Sequence, residues 1–221
     1  MPTLRGCGIV PVLSVATPWH LAGGNPVDAW EARNAASYAA SKVGLFAATV
    51  LGEGAGGPLG WAAGAGWSGW AAPNKYLDTT ITPDAAQNYA LFVQYSGLTV
   101  ADQYLAGCYD GGGNACAVGY SSGGGGTVAY ANGSFVVVAP VPAAAGNLGI
   151  SGPQGYRNGA ADGGLSVAGV WVPGSIYLGG LNTAGSLLLA TTATIKRVIV
   201  FATPRTPVQA AALAAAMLAA G

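Results

Sequence analysis

His20 is the one histidine in the sequence, so a Ser-His-Asp triad would have to use it as general base. It lies in Thr17-Pro18-Trp19-His20, which reads as a loop, and no Gly-x-Ser-x-Gly elbow accompanies it. Gly66-Trp67-Ser68-Gly69 is near that pattern but lacks the strand-to-helix context that exposes a nucleophile. A glycosidase would need two carboxylates about 5–10 Å apart. Glu31 and Glu53 are the only glutamates; both fall in stretches that read as irregular, and neither has an acidic residue two positions away. An aspartate pair such as Asp78 with Asp84 is left open, and lone aspartates are commonly turn formers. The expectation is a protein that is not an enzyme.

Metal and redox chemistry have little more to use. Cys7, Cys108 and Cys116 contain no Cys-x-x-Cys spacing, and His20 alone cannot complete a zinc site with them. Cys108 and Cys116 flank the turn Asp110-Gly-Gly-Gly-Asn114, which would set them face to face across a hairpin. A disulfide between them is one reading, and two small buried thiols is the other. The glycine runs at 111–113 and 123–126 lack the Lys-Ser/Thr and helix of a phosphate loop, so they read as turns. Trp61, Trp67 and Trp70 cluster in a Gly-rich stretch. They fit three roles: a plug at one end of a core, a protein interface, or a platform on which sugar rings stack.

Composition limits the partners. Only 7% of the 221 residues are charged, the formal net charge is zero and 52% are hydrophobic. With no basic excess to release counterions, nucleic acid is not an expected partner. No apolar run reaches the roughly 18 residues of a membrane span, and no basic amphipathic helix marks a membrane surface. The opening residues lack the basic, apolar and small-residue order of a secretory signal. So little charge suggests a surface partly covered by neighbours in an assembly.

The elements that must position these residues are mostly short strands. Cys7 to Val15 reads as a first strand, Asp28 to Lys42 as helix or coil, and Gly52 to Gly69 as a loop without regular structure. Strands are expected at 76–81 and 88–96, the latter with Tyr89, Leu91, Val93 and Tyr95 on one face. A hairpin joins Gln103–Tyr109 to Ala115–Ser121, and Asn132-Gly133 predicts a second between 127–131 and 134–139. Late strands follow at 175–180 and 194–202. The clear helix is C-terminal, with Thr206 as N-cap, Pro207 at its first position and Gln209 closing a capping box. The fold class is all-β: a two-sheet antiparallel sandwich with a short C-terminal helix.

Two stretches carry a family resemblance. Gly155-Tyr156-Arg157-Asn158-Gly159-Ala160, then Ile176-Tyr-Leu-Gly-Gly180, Ile195-Lys-Arg-Val-Ile-Val-Phe201 and Thr206-Pro207, resemble the C-terminal half of laminin G-like, concanavalin A-like jelly rolls. The stretch from Ala35 to Leu45, followed by Gly66-Trp67 and Tyr76-Leu77-Asp78-Thr79, is similar to the N-terminal half of such domains in tailed-phage and prophage virion proteins. Gly44 stands where that pattern favours Asn, and Thr80 where it favours Gly. The resemblance implies a jelly-roll domain over residues 28–221, with 1–27 as an N-terminal arm or first strand. It also implies a non-catalytic virion structural protein, a capsid decoration or tail-associated protein assembled in the host cytoplasm. Such a protein packs on copies of itself and on other virion proteins. The alternative is a module that binds a surface glycan as receptor. No cofactor is expected beyond the calcium ion the resemblance allows, for which Asp110, Asn114 and Asp162 would be oxygen ligands.

Overall fold

Tyr89, Leu91, Val93 and Tyr95 alternate with Ala90, Phe92 and Gln94, and this period of two decides how the sandwich is layered. The computed structural model describes residues 18–83, 89–99, 101–112, 114–121, 127–138, 143–165 and 174–220. In chain order the strands are β1 (Asp28–Glu31), β2 (Gly52–Glu53), β3 (Gly60–Ala62), β4 (Gly66–Ser68), β5 (Leu77–Asp78), β6 (Ala90–Ser96), β7 (Gln103–Tyr109) and β8 (Ala115–Ser121). They continue with β9 (Thr127–Val138), β10 (Ala145–Ser151), β11 (Gln154–Arg157), β12 (Ala160–Gly164), β13 (Tyr177–Leu178), β14 (Leu181–Thr183), β15 (Ser186–Leu188) and β16 (Thr194–Phe201). A 3-10 turn (Trp19–Leu21), one turn of helix α1 (Tyr38–Ser41) and helix α2 (Pro207–Ala219) complete the set.

The first sheet runs β12-β11-β10-β6-β16-β4-β3, with β1 also on β16. The second runs β15-β14-β7-β13-β5-β2, with β8 on β7 and β9 on β8. Among the described strands pairing is antiparallel except for β14, which runs parallel to β7 through Asn182–Cys108, and an isolated parallel bridge joins Tyr104 to Ala190. Between the sheets lie Leu91, Val93, Tyr95, Ile195 and Val198 from the first, and Leu77, Leu105, Cys108, Val118 and Leu178 from the second. The tyrosines and aliphatics of one β6 face thus fill the main core, as the alternation requires.

The opposite face of β6 is covered by α2. Ala90, Phe92, Ile199 and Phe201 meet Leu213 and Met217 of the helix, and Trp19 closes one side. Residues 18–27, grouped by sequence with the arm, therefore lie against the domain, and Val27 N–H donates to the Val200 carbonyl at 2.7 Å. The helix begins as expected, with the Thr206–Gln209 capping box formed in both directions. Its other end is held by a polar row across four strands, in which Asn147, Gln94, Arg197 and Glu31 are successive register partners. Asn147 Nδ2 donates to the Ala214 carbonyl at 3.0 Å, and Arg197 donates to the Met217 and Ala220 carbonyls at 2.7 and 2.6 Å. The Arg197 contacts satisfy carbonyls that a helix C-terminus leaves without intrahelical donors.

Three expectations about elements are corrected. Gly52 to Gly69 is not an irregular loop: β2, β3 and β4 lie in it, and Trp61 pairs with Trp67 across the β3–β4 hairpin. Asp28 to Lys42, read as helix or coil, holds helix α1 at Tyr38–Ser41 but opens with β1, where burial on β16 decides. Asn132-Gly133 is not a hairpin turn. Both residues lie within the continuous β9 and pair with Cys116 and Ala115 of β8, so the long ladder overrides the local turn preference. Asn158-Gly159, a dipeptide of the same kind, does form a turn: the two residues have φ of +51° and +82° between β11 and β12. A Cβ on Gly159 would sit 2.8 Å from Ala211 Cα, so the helix packs on this turn only because it ends in glycine. The strand expected at Cys7 to Val15 lies outside the described residues.

Candidate functional site: a tyrosine-walled groove on the second sheet

The tryptophans do not all form a surface. Trp67 and Trp70 are fully buried. Trp67 Nε1 donates to Ser41 Oγ at 2.8 Å and Trp70 Nε1 to the Ala193 carbonyl at 2.9 Å. These two take the core-plug role, which removes them as an interface or a sugar platform. Trp61 is half-buried, with Nε1 on the Ala32 carbonyl at 2.7 Å.

The oxygen ligands expected for calcium are divided between the sheets. Asp110 and Asn114 share the β7–β8 turn, where Asp110 Oδ1 accepts from Gly112 N and Asn114 N and Oδ2 accepts from Asn114 Nδ2 at 2.6 Å. Partial burial raises the Asp110 carboxyl, but these donors outweigh it and hold the group below its ordinary range. Asp162 is on β12 of the first sheet and pairs with Arg157 Nε at 2.6 Å. Asp110 and Asn114 thus act as turn formers. Cys108 and Cys116 are direct register partners, as the hairpin predicts, and both are buried free thiols. Burial, then the adjacent Cys108 thiol, pushes the Cys116 thiol well up. Cys7 lies outside the described residues.

The groups screened for catalysis are structural where described. Glu31 is on β1 and takes Arg197, Asn34 and Trp19 as hydrogen-bond donors. Glu53 is on β2 and pairs with Lys42 at 2.5 Å. His20 sits edge-on to Trp19, its Nδ1 is buried without a partner among the described residues, and burial lowers its pKa below the ordinary value. Ser68 lies on a hairpin strand rather than an elbow. Asp78 Oδ1 accepts from Thr80 N, and Asp84 lies outside the described residues.

A groove of about 230 Å³ opens on the second sheet, lined by Tyr104, Tyr109, Leu181, Leu188 and Leu189. Tyr104 and Tyr109 come from the two ends of β7. The three leucines come from β14, β15 and the residue after it. The β14–β15 hairpin is fixed from several sides. Ala184 and Gly185 turn at φ +49° and +88°, Gly185 N–H donates to Asn182 Oδ1 at 2.8 Å, and Asn182 Nδ2 donates to the Ser175 carbonyl. Leu189 stands at φ +51° while its carbonyl accepts from Tyr104 N at 3.0 Å. That left-handed conformation is costly for a leucine and leaves both Leu188 and Leu189 about 40% exposed. Burial, then the charge of Asp102, raises the Tyr104 phenol to about 12, so it stays protonated and able to donate. Thr183, the register partner of Tyr109, has a buried hydroxyl without a hydrogen-bond partner among the described residues. Among the described residues no carboxylate lines the groove. Such a surface can hold a ligand by apolar and aromatic contact with a few hydroxyl bonds.

Sequence reasoning looked for aromatics in the tryptophan cluster and missed this groove. Its signal was weak: Leu187-Leu188-Leu189 follows a Gly185 turn, with no charge to break the apolar run.

No family model matches the chain, and no curated protein matches it. Solved structures share its fold. A Trypanosoma rangeli sialidase in complex with sialic acid superposes with a TM-score of 0.57 at 12% identity, over 86% of this chain and 32% of that one. Domain 4 of AbnA, a GH43 extracellular arabinanase from Geobacillus stearothermophilus in complex with arabinotriose, superposes with a TM-score of 0.51 at 15% identity, over 86% of this chain and 98% of that one. The chain thus spans about a third of the sialidase and nearly all of the arabinanase domain. At these identities the likeness shows a β-sandwich fold of the jelly-roll kind and does not extend to the phage part of the resemblance.

Proposed function

We propose that this chain is a non-catalytic glycan-recognition module that holds a short, uncharged stretch of saccharide in the Tyr104–Tyr109 groove. The observation that carries this reading is the groove itself: two tyrosines and three leucines around a cavity of about 230 Å³. Sugar rings present apolar C–H faces to aromatic rings and hydroxyls to donors such as Tyr104. The arabinotriose complex of a domain with this fold supports the same ligand class. Calorimetry with neutral arabino- and galacto-oligosaccharides tests it. Binding that is lost in Tyr109→Ala supports the reading, and no binding across the series sinks it.

A second reading keeps the chain as an assembly subunit, in a virion, packing on copies of itself. One observation favours it. Val43, Leu45, Phe46 and Val50 are exposed on one loop, which is held by Asp28 accepting from Phe46 N, Ala47 N and Thr49 N. Native mass spectrometry decides it: oligomers that dissociate in Phe46→Ser support assembly, and a monomer at all concentrations removes it.

A further inference from the structure

The described cations are mostly engaged. Lys42 pairs with Glu53, Arg157 with Asp162 and Arg197 with Glu31. Lys75 donates to the Pro58 carbonyl, and Arg205 to the Gly23 carbonyl and Thr203. Arg33 and Lys196 are the exceptions: among the described residues neither side chain has a hydrogen bond or an ion pair. Both are half-buried, and the backbone fixes them together. Ala32 N–H donates to the Lys196 carbonyl at 2.9 Å, and the Arg33 carbonyl accepts from Gly64 N at the tip of the β3–β4 hairpin at 2.7 Å. Lys196 occupies the irregularity where β16 shifts register against β6, between Ile195 and Arg197.

Two like charges at one place repel, and each would gain from a shared anion. Burial, then the charges of Arg33 and Arg197, lower the Lys196 ammonium below the ordinary lysine range. The nearest carboxylate in sequence, Glu31, is already taken by Arg197, Asn34 and Trp19. The half-buried Trp61 adjoins the pair, since its indole N–H donates to the carbonyl of Ala32, the residue before Arg33. A half-buried indole anchored to the backbone next to Arg33, with two unpaired cations, is a suitable setting for a sugar carrying a negative group.

We propose that Arg33, Lys196 and Trp61 form a binding site for an anionic saccharide, its ring against Trp61 and its carboxylate or sulfate between the two cations. That the anion is carried on a sugar rests on the glycan reading above. The site itself is on the first sheet and shares no residue with the Tyr104–Tyr109 groove.

The test titrates the whole chain with trigalacturonate, dextran sulfate and uncharged dextran at low salt, following tryptophan emission and heat. The expected result is binding of at least one anionic probe and none of uncharged dextran at this site. Arg33→Gln and Lys196→Gln should each weaken it roughly tenfold or more, while Lys75→Gln leaves it unchanged. The probe that binds identifies carboxylate or sulfate as the anion. No binding of either anionic probe overturns the proposal, as does binding that both Gln variants retain. Unchanged melting temperatures of the variants separate loss of the site from loss of the fold. If neutral oligosaccharides bind and Tyr109→Ala abolishes them while no anion binds, this proposal falls and the proposed function stands.

Discussion

Arg197→Met tests the most concentrated interaction in the molecule. The Arg197 side chain is fully buried and donates to Glu31 Oε1, Gln94 Oε1, and the Met217 and Ala220 carbonyls. Methionine fills similar volume but supplies no donor. The Glu31 carboxylate, whose side chain is 14% exposed, would keep only Asn34 and Trp19, and two carbonyls at the end of α2 would lose their partner. Removing one member of a buried pair costs about 3–5 kcal/mol, because the other charge stays buried. At about 2–4 °C per kcal/mol for a chain of this size, the melting temperature should fall by roughly 6–20 °C. Urea unfolding followed by tryptophan emission gives the free energy, and hydrogen exchange of residues 213–219 locates it. Arg197→Met/Glu31→Leu should recover part of the loss by removing the stranded carboxylate. A loss below about 1 kcal/mol in the single variant, or unchanged exchange in α2, would refute the view that this row anchors the helix.

Thr80 sits at φ +58°, where a β-branched residue is strained, and Thr80→Gly should raise the unfolding free energy measured in urea by roughly 0.5–1 kcal/mol after the entropic cost of glycine. Gly44 shows the reverse: a Cβ there would lie 1.9 Å from Asp28 Oδ2, so Gly44→Ala should lose about 1–3 kcal/mol in the same assay. His20 has a pKa lowered by burial, so the unfolded chain binds more protons than the folded one near its ordinary value of 6.5. Stability from this group is complete above that value and is lost as pH falls through it, and His20→Gln should flatten the unfolding curve between about pH 7 and 5.5.

The sequence was most legible where one strand's neighbours are local. The β7–β8 hairpin has the bounds its alternation indicates, and Cys108 faces Cys116 as its turn predicts. The α2 cap was readable because capping chemistry lies within four residues. Distant pairing hid the rest. Asn132-Gly133 looks like a turn until β8 is beside it, and β1 looks helical until β16 covers it. The two departures at Gly44 and Thr80 now have different meanings. Gly44 is required by the Asp28 carboxylate, which the loop wraps, whereas Thr80 carries strain that glycine would relieve. The groove was least legible, because its residues lie at 104, 109, 181, 188 and 189 and meet only after β14 runs beside β7.

The central claim is that the Tyr104–Tyr109 groove binds saccharide without cleaving it. Calorimetry of the intact chain with arabinotriose and matched neutral trisaccharides, read beside reducing-sugar release from the same samples, addresses both halves. The expected result is saturable binding that Tyr109→Ala weakens by roughly 1–3 kcal/mol in affinity, with no sugar released. Absence of binding to any neutral oligosaccharide, or release of reducing sugar by the wild-type chain, would contradict it.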